Sequence, residues 1–146
     1  MPDPGSQIDR EVLSALEPGL LAGDWSAALR ETRRLLALHP NEPGVALGIG
    51  ICQFHRREFI ECIEWMDRAE KLTRLARSRE PRPLPAMHLF RGLAYAAKRK
   101  PAAAKADLAA LRSFGPAPIQ WDRIVQVLRG DELLRARLAA EESGLG

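Results

Sequence analysis

The densest patterning in the chain lies between Leu47 and Ala69, LGIGICQFHRREFIECIEWMDRA. Apolar side chains recur there at steps of three and four on both sides of a short polar corner, Arg56-Arg57-Glu58. Leu47, Ile51 and Phe54 precede the corner, and Phe59, Ile63 and Met66 follow it. That period predicts two helices, each with one buried stripe, folded back on each other as a hairpin. A small residue stands on each arm, Gly50 and Cys62, where the arms would approach. A hairpin of this size cannot bury its apolar faces alone and calls for copies of itself on either side.

The flanking chain has the same character. Residues 1–5 hold two prolines and a glycine and predict a flexible tail. Ser6 and Asp9 resemble a helix-start box, and Ile8, Val12 and Leu16 then supply one face. Pro18-Gly19 is expected to kink or break this helix, because proline removes a hydrogen bond and crowds the preceding turn. Gly23-Asp24 forms a corner with Asp24 as N-cap, and a second helix runs from about Trp25 to Leu38. Past Leu72 the pattern dissolves. The fourth helix is expected to end by about Arg77, and Pro81, Pro83 and Pro85 predict an extended, polyproline-like segment. A fifth helix over about Ala86–Lys98 buries Leu89 and Leu93, and Pro101 opens a sixth that reaches about Ser113. Trp121, Ile124, Val125 and Leu128, then Leu133, Leu134 and Leu138, mark two last helices suited to capping the end of a stack.

Three of these segments share a register. Trp25 and Phe59, the two corner aromatics, lie 34 residues apart, and Gly50 and Gly92 lie 42 apart, which is the same period with eight residues inserted. Gly50 against Cys62, and Gly92 against Ala104, place small residues where paired helices meet. A helix–turn–helix unit of this length resembles the tetratricopeptide repeat. The resemblance covers roughly residues 9–116 and implies an all-α, right-handed solenoid of three hairpins (about 9–40, 43–72 and 85–116), an insertion at 73–84 and a two-helix cap at 118–142. Residues 6–146 would then form a single domain. The chain departs from the family pattern at Leu16, where a small residue is expected. It also lacks a closing proline in the second repeat, and Pro101 replaces the third corner aromatic. A narrower likeness joins LGIGICQF at 47–54 with EPRPLPAMH at 80–88: the two stretches are similar to the second and third repeats of class II type III secretion chaperones. It implies a bacterial, cytoplasmic protein whose groove holds segments of hydrophobic translocator proteins. The insertion before Glu80 departs from that family's spacing.

Composition narrows the picture modestly. At 146 residues the chain is one domain's worth, and its low aromatic share with abundant Ala, Leu, Arg and Glu favours helix. A net charge of +3 does not by itself suggest nucleic-acid binding. MPDPGSQIDREVL lacks the basic and apolar regions of a secretory signal, and no apolar run is long enough to span a bilayer, so a cytoplasmic protein without membrane insertion is expected. Two cysteines within helical stripes read as free, buried thiols.

Stacked hairpins curve, and their first helices line the concave side. That face takes Leu13, Glu17, Leu20 and Leu21, then Leu47, Ile51, Phe54 and His55, then Leu89, Leu93 and Ala97. Eight of these eleven are Leu, Ile or Phe. Leaving eight such side chains in water would forgo on the order of 10–20 kcal/mol. Two outcomes follow: a groove that accepts an apolar segment of a partner protein, or a groove filled by the chain's own insertion or last helices. The first makes the chain a cytoplasmic adaptor or chaperone. An alternative of another class is a self-assembling scaffold whose apolar face forms a homodimer. Lys71, Arg74, Arg77, Arg79 and Arg82 could form a basic docking loop, although a solvated insertion is the blander account. No aromatic residues interleave with them, so a base-stacking surface is not suggested. Cys52, His55 and Cys62 fall short of the four ligands of a closed zinc site, so neither a metal nor a cofactor is expected. No phosphate loop, H-E-x-x-H or nucleophile elbow is present, and no enzyme activity is expected.

Overall fold

The computed structural model describes residues 4–75 and 83–112, and all regular structure among them is helical. Six helices follow in order: α1 (Pro4–Ala22), α2 (Trp25–Leu38), α3 (Pro43–His55), α4 (Phe59–Leu75), α5 (Pro83–Ala97) and α6 (Pro101–Arg112). Each packs on the next, and α3 also touches both α1 and α5. The expected cap at 118–142 lies outside the described residues.

Local chemistry accounts for the boundaries. The Asp24 side chain accepts a hydrogen bond from the Ala27 N–H at 3.0 Å and so caps α2. Pro43 stands in the first turn of α3, where a missing N–H costs nothing. Three expectations are corrected by the same physics. Pro4 and Gly5, read as tail, belong to α1. Pro18 does not break α1, because it falls near the end of a 19-residue helix and removes one late bond only. Pro83 and Pro85 open α5 instead of extending a polyproline segment, since their nitrogens fall among the first-turn positions that have no intrahelical acceptor.

The three corners repeat one another. A residue with left-handed φ ends the first helix of each pair: Gly23 at 69°, Arg57 at 63° and Arg99 at 58°. These positions have the 34- and 42-residue spacing found in the sequence. The second and third corners match bond for bond. The Glu58 N–H donates to the Gln53 carbonyl at 2.8 Å and the Lys100 N–H to the Tyr95 carbonyl at 2.9 Å. Arg57 and Arg99 donate to Phe54 and Ala96, each at 3.0 Å. The even helices then begin alike, with Ala28, Cys62 and Ala104 donating to the carbonyls of Asp24, Glu58 and Lys100. The corner cap is therefore a property of the repeat.

The core sits around α3. A single buried stripe was expected, but every residue from Val45 to Phe54 is buried, because α1, α2, α4 and α5 surround the helix. Its glycines make this close approach feasible. A Cβ on Gly50 would stand 2.7 Å from Met66 Cε and 3.5 Å from the Cys62 carbonyl oxygen, and one on Gly48 would stand 2.8 Å from Val12 Cγ1.

Candidate functional site

The eleven positions expected on one face divide sharply in the folded chain. Leu47, Ile51, Phe54, Leu89 and Leu93 are buried members of the core cluster, so they do not line an open groove. The reason is crowding along the row of odd helices. α3 touches both α1 and α5, and side chains read as facing a cavity instead interlock between neighbours. Leu13, Leu20, His55 and Ala97 are half-buried, Glu17 is exposed, and Leu21 is 83% exposed. Solvent therefore reaches this row at α1 and at the C-terminal ends of α3 and α5.

An aromatic knot organises that end. The Trp25 indole stacks on the His55 imidazole, with centroids 4.0 Å apart and planes 8° from parallel. His55 meets the Phe54 ring edge-on at 5.4 Å, and Phe54 in turn meets Phe59 at 5.7 Å and Phe90 at 5.4 Å. Four helices thus contribute rings: α2 gives Trp25, α3 Phe54 and His55, α4 Phe59 and α5 Phe90. Trp25 also covers Gly19, where a Cβ would fall 2.2 Å from the ring. The expected groove residue His55 is consequently a packing partner, half-buried among aromatics.

A second polar constellation was invisible to periodicity. Asp107 on α6 is 3% exposed, and its carboxylate takes 2.8 Å contacts from both His88 Nδ1 and an Arg91 terminal nitrogen. Arg91 Nε also donates to both Asp107 oxygens, at 3.0 and 2.9 Å. Its other terminal nitrogen reaches Asp67 at 2.9 Å and Glu70 at 3.1 Å, both on α4. One guanidinium thereby ties three helices together. Burial alone would raise the Glu70 carboxyl, but Arg91 and then Arg74 outweigh it and hold the group below its ordinary value. Burial disfavours the Arg91 charge too, yet Asp107 and Glu70 keep the guanidinium firmly protonated. The Tyr95 hydroxyl is pushed up, first by burial and then by Asp67. The spacing of His88, Arg91 and Asp107 contained one clue, a polar residue on the apolar stripe of each of two successive helices. Only their contact shows that the polar groups complete one another.

Of the basic loop, Lys71 and Arg74 are exposed at the end of α4, and Arg74 pairs with Glu70 at 3.2 Å. Arg77, Arg79 and Arg82 lie outside the described residues. Cys52 and Cys62 are free and buried. Burial pushes the Cys52 thiol up to about 12, against a weaker lowering by Thr32, and burial pushes Cys62 up as well. Among the described residues no three His, Cys, Asp or Glu side chains are grouped to hold a metal ion, and no helix is long and apolar enough to cross a membrane. A pocket of about 450 Å³ opens between α1 and α2, lined in part by Glu11, Ser14, Arg34 and Leu38, and it includes none of the expected site residues. The chain matches no protein-family model, no curated protein and no solved structure.

Proposed function

We propose that this chain is a protein-binding module: a right-handed solenoid of tetratricopeptide-like hairpins, acting in the cytoplasm as an adaptor or chaperone and not as an enzyme. The observation that carries the reading is the left-handed corner residue, repeated at 23, 57 and 99 in the register of the sequence repeat, with the second and third corners closed by the same backbone bonds. Repeated hairpins present a long surface of regularly spaced side chains, which suits extended contact with another chain better than enclosure of a small substrate. The burial of Leu47, Ile51, Phe54, Leu89 and Leu93 moves the proposed contact outward. An apolar partner segment would lie along Leu13, Leu20 and Leu21 of α1 and past His55 at the end of α3.

Affinity capture with the purified chain, followed by mass spectrometry and light scattering, tests this. The wild type is expected to retain a partner protein at stoichiometric amount. Leu21→Asp is expected to lose it with unchanged helical circular dichroism, since Leu21 makes little internal contact. A chain that dimerises with rising concentration, and that Leu21→Asp makes monomeric, would replace the reading with the homodimeric scaffold. A monomer that retains nothing would overturn both.

A further inference from the structure

We propose that the hairpin-corner edge of the second and third pairs is a cationic docking surface for an acidic segment of a partner protein. Arg56, Arg57, Lys98, Arg99 and Lys100 are all exposed. Arg56 reaches Glu58 at 2.9 Å and Ser26 at 3.2 Å. Arg57, Lys98, Arg99 and Lys100 form no ion pair among the described residues. These two corners share an edge. α4 ends at Leu75 and α5 begins at Pro83, and so short a connection between two packed helices makes them antiparallel, so α5 runs with α3. Both corners therefore open at the C-terminal ends of parallel helices. At the second corner Glu58, half-buried, pairs with Arg56, and Glu61 follows one turn on.

The backbone supplies an independent reason. A left-handed residue at a helix end is ordinarily glycine, because a side chain there crowds the next carbonyl. Gly23 obeys that rule, whereas the equivalent positions of the other two corners both carry arginine. Two exposed arginines held in a costly conformation at equivalent sites fit a surface used for its charge. An acidic peptide is favoured over a nucleic acid because, among the described residues, no exposed aromatic ring accompanies the cations for base stacking. That choice rests on the reading of the chain as a protein binder; the surface itself does not.

Fluorescence anisotropy with a labelled peptide of about twelve residues, alternating Glu and Gly, tests the proposal without any apolar contact. Wild type is expected to bind and to weaken roughly tenfold between about 50 and about 200 mM salt. The double variant Arg57→Gly/Arg99→Gly is expected to bind at least about fivefold more weakly while melting no lower than wild type. Arg10→Gln/Arg33→Gln removes two exposed cations elsewhere and is expected to leave affinity within about twofold. No binding by wild type, or full binding by the glycine variant, would overturn the surface. An equal loss in the control variant would reduce the effect to net charge, and tighter binding of a short DNA duplex would overturn the partner class. Because the peptide has no apolar side chain, loss of partner capture by Leu21→Asp leaves these outcomes unchanged.

Discussion

Trp25 and His55 stack face to face at 4.0 Å, and Gly19 lies close against the same indole. The first hairpin is thereby clamped to the second by one ring whose fit depends on a missing Cβ. Gly19→Ala would place that atom 2.2 Å from Trp25 Cε3, so the indole or its helix must shift and the His55 stack is disturbed. The expected cost is about 1–3 kcal/mol, above the small gain from alanine's helix propensity. Urea denaturation monitored by tryptophan fluorescence measures it, and a variant as stable as wild type would show that the stack is dispensable.

The two left-handed arginines give a prediction of opposite sign. Arg57→Gly or Arg99→Gly relieves the clash between side chain and backbone at a helix end and is expected to stabilise by about 0.5–1 kcal/mol. Glycine's greater freedom in the unfolded chain offsets part of the gain. Thermal melts of each single variant decide the sign.

Ile51 distinguishes core from binding surface. It is 1% exposed, so Ile51→Asp buries an unpaired carboxylate and is expected to cost several kcal/mol, enough to unfold a chain of this size. Circular dichroism should fall together with any partner capture. Leu21→Asp, on a side chain 83% exposed, is expected to change stability by less than about 0.5 kcal/mol.

The thiols predict an alkaline limit. Both cysteines have folded values raised above the ordinary 9.0, Cys52 to about 12. The unfolded chain therefore loses these protons first. Their contribution to stability is complete below about pH 9 and declines as pH rises from there toward the folded values. A disulfide-exchange reagent at pH 8 should leave native protein unlabelled and react with both thiols in denaturant. Rapid native labelling would mean that α3 and α4 open readily.

Helix order, the hairpin corners and the 34-residue register were legible in the sequence because they depend on neighbours along the chain. Asp24 caps through an N–H only three residues along, and Gly50 faces a residue on the adjoining arm. The prolines misled for the same local reason. Pro18, Pro83 and Pro85 break helices in general, but their consequence depends on where the ends fall. What tertiary structure alone decided is which apolar residues are left to water. Leu47, Ile51 and Phe54 have the spacing of a groove lining, yet α1 and α5 close over them, because helix period records which side of a helix is apolar and not how many neighbours meet it. The network of Arg91 with His88, Asp107 and Glu70 was hidden likewise. Each polar residue read singly looks solvated, and burial becomes tolerable only when charges from three helices meet.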